Sequence, residues 1–251
     1  MTEDSTAQDR QLLRDYAGET RDPHVTALMG ELLRHLDQVD FARTTGRTGG
    51  NTRGLGQGRY AVSYAHGAQM TRADHLAVLV HELTHVAVDQ AYDSEMLNFP
   101  APALSTAERQ RVREETPGRE EDFQNARLRN TGRQQRDAFV GLVVANGQRL
   151  VRELPSSGLS AERQRMVREK LTSHLQPRPF HEYDGVLSHL LTWCDLDGAD
   201  RSSAFYRSLS AMVDQAAAWR AAGQIRTPRR RRGLFSRLGA TLRKLTRGFR
   251  R

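Results

Sequence analysis

An α+β fold that is predominantly helical follows from three observations. Apolar residues recur at helical spacing through most of the chain. One short stretch, Arg59 to Ala65, alternates in the manner of a strand, with Tyr60, Val62 and Tyr64 against Ala61, Ser63 and Ala65. That stretch is followed directly by the strongest apolar-faced helix of the chain, so a small early β element is set against a helical remainder.

The elements follow in order. Met1 to Arg10 is acidic and polar and reads as a flexible N-terminus. From Gln11 to Asp40 the pattern is helical in two stripes. Leu12, Leu13 and Tyr16 form the first, and Val25, Leu28, Met29, Leu32, Leu33 and Leu36 the second. Asp22-Pro23 between them has the form of a helix start, because proline's missing N–H costs nothing in a first turn. Thr44 to Gly58 holds six glycines in fifteen residues, which predicts a loop or hairpin end; Gly54, Gly56 and Gly58 lack the spacing of a phosphate-binding loop.

Thr71 to Ala91 is the main helix of the body. Thr71 can cap it and Asp74 sits in its first turn, where a negative charge suits the helix dipole. Leu76, Leu79, Val80, Leu83, Val86 and Ala87 give it a broad apolar face. Asn98 to Ala103, with two prolines, is a loop. Ser105 to Glu115 and Ser160 to Gln176 are polar helices that share the opening Ala-Glu-Arg-Gln-Arg, and Ser105 with Glu108 fits a capping box. Two short matches do not make a repeat. Thr116 to Arg136 is polar throughout, so a polar insertion spans about residues 105–136. Ala138 to Leu154 returns to the core, Tyr183 to Cys194 and Ser203 to Ala222 are helical, and Pro228 ends the body. The resulting division is a body over residues 11–228 and a separate tail over residues 229–251.

Charge distribution sharpens that division. The chain of 251 residues carries 38 Lys+Arg and 30 Asp+Glu, a formal net charge of +8. Ten of the basic residues lie between Arg229 and Arg251, with no acid among them, which leaves 28 basic against 30 acidic residues elsewhere. The body is nearly neutral, which argues against a globally basic nucleic-acid-binding domain. A body of this size can bury one real core or two small ones. One cysteine, Cys194, excludes an intramolecular disulfide framework and fits a core position. No apolar run is long enough for a transmembrane helix, and Met1 to Arg10 has no secretory-signal character. These features predict a cytoplasmic protein in the producing cell, with export by a non-classical route or injection into a target cell as the alternative.

The motif that carries chemistry is His81-Glu82-Leu83-Thr84-His85, an HExxH sequence in mid-helix. Residues i and i+4 share one helix face, so both imidazoles can reach one metal ion. Glu82, beside the first of them, is placed to take a proton from an attacking water and pass it to a leaving amine. Leu76 to Val80 and Val86 to Val88 flank the motif with apolar residues, which predicts a buried helix. Two histidines and a glutamate buried with no partner would be costly.

Val78 to Val86 resembles the active-site helix of zincin metallopeptidases, and the likeness extends over about Tyr60 to Tyr92, with a further segment around Glu182. The resemblance implies a zincin-like fold: an active-site helix packed on a small sheet, with a helical C-terminal half supplying the third ligand. It implies zinc as cofactor, His81 and His85 as zinc ligands, Glu82 as general base, and a protein or peptide substrate. The metzincin extension is missing, since no glycine and histidine follow His85 at the required spacing. Asp89, one turn beyond His85, could orient a ligand or simply lie at the surface.

By the gluzincin pattern the third ligand is a Glu on a later helix, which selects Glu182 in Phe180-His181-Glu182-Tyr183-Asp184-Gly185. Its distance of 97 residues from His85 is longer than in many gluzincins, and the polar insertion could account for it. Asp184, His181 and His189, or Glu114 and Glu115 at a more usual gap, remain alternatives. A helix-end role also suits Asp184.

In the tail, Leu234, Phe235, Leu238, Leu242, Leu245 and Phe249 recur at helical spacing between basic residues. Such a cationic amphipathic segment suits an anionic membrane or a secretion-machinery contact; nucleic acid is disfavoured by the scarcity of aromatic stacking positions. The compact body, missing signal and basic tail resemble bacterial effector or toxin metallopeptidases. The expected function is therefore zinc-dependent peptide-bond hydrolysis. The rival is a non-enzymatic or regulatory binding protein on the same scaffold, held by its tail to a membrane or partner.

Overall fold

The computed structural model describes residues 2–44, 50–67, 70–92, 146–174 and 180–226. In order these form α1 (Thr2–Glu19), α2 (Pro23–Leu32), a 3-10 segment (Leu33–Gln38), β1 (Val39–Thr44), β2 (Gly50–Gly56), β3 (Arg59–Ala65) and α3 (Arg72–Tyr92). Helical residues 146–153 then lead into a 3-10 turn (Leu154–Ser156), followed by α4 (Ala161–His174), α5 (Phe180–Leu196) and α6 (Ala204–Arg226). The fold is α+β and predominantly helical, with one small mixed sheet.

The expected helix starts are present. Asp22 caps α2 with its carboxylate accepting from the backbone N–H groups of His24 and Val25, and Pro23 opens the helix. Thr71 and Asp74 cap α3 reciprocally: the Asp74 N–H donates to Thr71 Oγ1 at 3.1 Å, and the Thr71 hydroxyl donates to Asp74 Oδ2 at 2.6 Å. Ser160 and Ser203 accept first-turn N–H groups of α4 and α6.

Residues 2–10 form the first turns of α1, and that end of the helix covers a sheet edge. Thr6 Oγ1 receives the backbone N–H of Phe41 at 3.0 Å and donates to its carbonyl at 2.9 Å, satisfying β1 where a neighbouring strand would. The small sheet is present, and one expectation is corrected: it has two strands besides β3, in the order β1-β3-β2, with β1 parallel and β2 antiparallel to β3. Most of the glycine-rich segment is β2 and the hairpin joining it to β3. That hairpin runs through Gly56, Gln57 and Gly58, all at positive φ, beside a bulge at Gly54/Gly56. The polar insertion at 105–136 and the tail at 229–251 lie outside the described residues.

Val39, Phe41, Tyr60, Val62 and Tyr64 point from the sheet into the core. Opposite them lies α3, buried on nearly all sides: Leu76, Ala77, Leu79, Val80, Leu83, Val86, Ala87 and Ala91 are all inaccessible. A helix buried on nearly every side belongs at the centre of a fold. The far side of α3 is covered by α5, whose residues 183–194 are buried throughout, and α6 packs on both. The HExxH helix is thus enclosed between β2 and β3 on one side and α5 and α6 on the other.

Candidate metal centre

Helical spacing puts the rings of His81 and His85 on one face of α3, with centroids 4.7 Å apart and planes nearly perpendicular. One ligand atom from each of His81, Glu82 and His85 lies within 4.8 Å of the others. His81 and Glu82 are buried and His85 is partly so. Two imidazole nitrogens and a carboxylate oxygen are a donor set that zinc accepts. The residues therefore fit such an ion chemically.

The sheet meets this group at Glu82. Thr52 of β2 places Oγ1 2.7 Å from Glu82 Oε2 and 3.2 Å from the Glu82 carbonyl oxygen, so its hydroxyl donates to the nearer carboxylate. Two residues earlier on the same strand face, Gly50 leaves room for the carboxylate: a Cβ there would lie 2.2 Å from Glu82 Oε1. β2 thus offers the glutamate one hydrogen bond and one side-chain-free surface.

Helix α5 meets the group at the histidines. A Cβ on Gly185 would stand 2.9 Å from His81 Nε2 and 2.9 Å from His85 Cε1. One turn further on, the buried His189 ring lies edge-on to His81, centroids 5.8 Å apart, and is backed by Trp193 at 4.3 Å. Trp193 ties this region to the start of α3: its indole N–H donates to Asp74 Oδ1 at 3.0 Å, and the Arg163 guanidinium of α4 lies 4.4 Å over its ring. Arg163 also pairs with Asp74 at 2.6 Å and Asp197 at 2.5 Å. Burial works against the Asp74 charge, but the Thr71 and Arg163 bonds outweigh it and hold its carboxyl below the usual value.

Asp184, weighed as a third ligand, is engaged elsewhere. Its Oδ2 accepts from Arg220 of α6, and it is not one of the three residues whose ligand atoms converge. Arg220 is fully buried and also binds Glu31 of α2 through Nε and Nη2, at 2.8 and 2.9 Å. Burial pushes the Asp184 carboxyl up, with Arg220 opposing and the Glu31 charge adding to the rise. Glu182 lies on α5 one turn before Gly185. The side chains of Glu182 and His181 are outside the described ones, and Glu114 and Glu115 are outside the described residues. Asp89 accepts from Tyr60 of β3 at 2.6 Å and serves to join helix and sheet. Cys194 is a core residue, its thiol pushed up by burial.

Thr52, Gly50 and Gly185 escaped the sequence reading. Gly185 alone had a signal, an isolated glycine inside an apolar helix, which usually marks a close approach. Comparison with protein-family models, with curated proteins and with solved structures finds no match to this chain.

Proposed function

We propose that this protein is a zinc-dependent metalloendopeptidase. One observation carries the reading: two imidazoles and a carboxylate, two of the three residues buried and His85 partly so, converge on one stretch of the central helix. His81 and His85 would hold the ion, with Glu182 of α5 as the third ligand and a position left open for substrate. Bound zinc supplies Lewis acidity toward a peptide carbonyl and lowers the pKa of an attacking water.

The chain's own residues do the rest. Glu82 accepts the proton of the attacking water and delivers it to the departing amine, so a single carboxylate serves first as base and then as acid. The Thr52 hydroxyl, bonded to Oε2, fixes the plane of that carboxylate. Among the described residues no strand pairs with the outer edge of β2. An extended peptide adding to that edge would lie beside Glu82 and could enter in mid-chain, which favours an endopeptidase over an exopeptidase. The cationic tail, by its sequence, is assigned to location, through an anionic membrane or secretion-machinery contact. Among the described residues no helix is long and apolar enough to cross a membrane.

The test is digestion of a denatured proteome by the zinc-loaded chain, with new N-termini identified by mass spectrometry. The wild type should produce them, and Glu82→Gln should keep zinc and produce none. A zinc-loaded wild type that cleaves nothing, or a Glu82→Gln variant as active as wild type, would overturn the proposal.

A further inference from the structure

Glycine is a poor choice for the interior of a helix, second only to proline. Gly185 nevertheless stands inside α5, between the buried Asp184 and Val186. The helical glycines Gly18 and Gly30 have open space around the Cβ they lack, with nothing within 4 Å. At Gly185 the same construction meets His81 Nε2 at 2.9 Å, His85 Cε1 at 2.9 Å and His81 Cε1 at 3.0 Å. All three nearest atoms belong to the two imidazoles, and one is a nitrogen through which histidine binds metals.

Helix α5 has little freedom to retreat from those rings. Tyr183, Val186, Leu187, Leu190 and Leu191 are buried around the glycine. Asp184, the preceding residue, is held by Arg220, which is itself held by Glu31 on α2. Trp193, two turns on, is held by Asp74 and Arg163. An added methyl would have to be accommodated by the rings, and both would have to turn from the arrangement in which their nitrogens and the Glu82 carboxylate lie within 4.8 Å.

We propose that Gly185 is a positioning residue for the metal centre. Its missing side chain lets α5 close on α3 while both imidazoles keep their metal-binding orientation. The inference rests on the zinc reading above. It places a determinant of metal affinity on a helix distant in sequence from the HExxH motif, at a residue with no ligand atom.

The test is zinc affinity by chelator competition for the wild type, Gly185→Ala and Gly30→Ala, with metal-free thermal melts of the same proteins. Gly185→Ala should lose about 100-fold in zinc affinity, the scale on which residues supporting metal ligands act. Gly30→Ala should bind as wild type does. The melts are repeated with His81→Ala and His85→Ala both present. There the methyl has space, and Gly185→Ala should no longer lower the melting temperature. Equal zinc affinity in Gly185→Ala and wild type would overturn this inference and leave the zinc reading standing. So would equal destabilisation with and without the imidazoles, because the glycine would then serve helix packing alone. A folded wild type that binds no zinc would overturn the zinc reading itself.

Discussion

Replacing Arg220 with methionine removes the cation shared by the buried Asp184 and the largely covered Glu31. Three charge-assisted hydrogen bonds disappear, one to Asp184 and two to Glu31. Asp184 is 1% exposed and the Glu31 side chain 10%, so neither can recover its loss from solvent. Removing one partner of a buried ion pair costs about 3–5 kcal/mol, a large share of the roughly 5–15 kcal/mol that holds a domain together. The sign of the pH effect follows from the same charges. Burial already pushes the Asp184 carboxyl up, and without the opposing cation it rises further. Its neutral form then favours folding below about pH 4, the unfolded value, and that benefit is lost as pH rises through the higher folded value. The gap between variant and wild type should thus be widest at pH 7 and narrower at pH 5. Urea unfolding of the metal-free proteins at both pH values measures it. Adding Asp184→Leu and Glu31→Met to the variant should recover most of the loss. A gap below about 1 kcal/mol at pH 7, or one that widens toward pH 5, would refute the reasoning.

Three further predictions concern the site, the sheet and the tail. Thr52→Val removes the hydroxyl that donates to Glu82; a hydrogen bond to a charged group is worth about 1.5 kcal/mol or more, so kcat should fall about tenfold with zinc content unchanged. Thr52→Ser should restore kcat, and wild-type turnover in Thr52→Val would show that the contact is idle. Burial acts to raise the Asp9 carboxyl, but bonds from His75, Arg43 and Tyr64 outweigh it and hold it below the usual value. The stability it contributes is therefore present above about pH 4 and lost as pH falls through its lower folded value, so Asp9→Asn should flatten the acid limb of a stability–pH curve and cost about 2 kcal/mol at pH 7. An unchanged acid limb would contradict this. Deleting residues 229–251 should abolish sedimentation with phosphatidylserine vesicles, to which each basic residue contributes about 1 kcal/mol, and leave zinc affinity unchanged.

The parts of this fold that were legible in sequence are those whose signal is local. Thr71 and Asp74 announce the start of α3, Asp22-Pro23 that of α2, and the alternation from Tyr60 to Tyr64 marks β3, because each depends on residues within one or two turns. His81 and His85 converge for the same reason, since i and i+4 meet on any helix. β2 was illegible because an exposed strand that contains Gly50, Gly54 and Gly56 has no alternation and a single β-former, Thr52, to reveal it. β1 follows a helical stripe directly, so its first residues, Val39 and Asp40, read as the end of that helix. The roles of Thr52 and Gly185 depend on how β2 and α5 approach α3. Such approaches are tertiary, and no spacing within either segment encodes them. The partner of Asp184 was illegible for a related reason: Arg220 is 36 residues away on another helix.

The central claim, that His81 and His85 form a zinc centre with Glu82 as its base, is tested most directly by metal content. The purified chain, dialysed against zinc and then buffer, is assayed by plasma emission spectrometry beside His81→Ala, His85→Ala, Glu182→Ala and Glu82→Gln. The account predicts about one zinc per folded wild-type chain, a loss in both histidine variants, a weakened hold in Glu182→Ala and full retention in Glu82→Gln. A folded wild type without zinc, or histidine variants that keep it, would contradict the account.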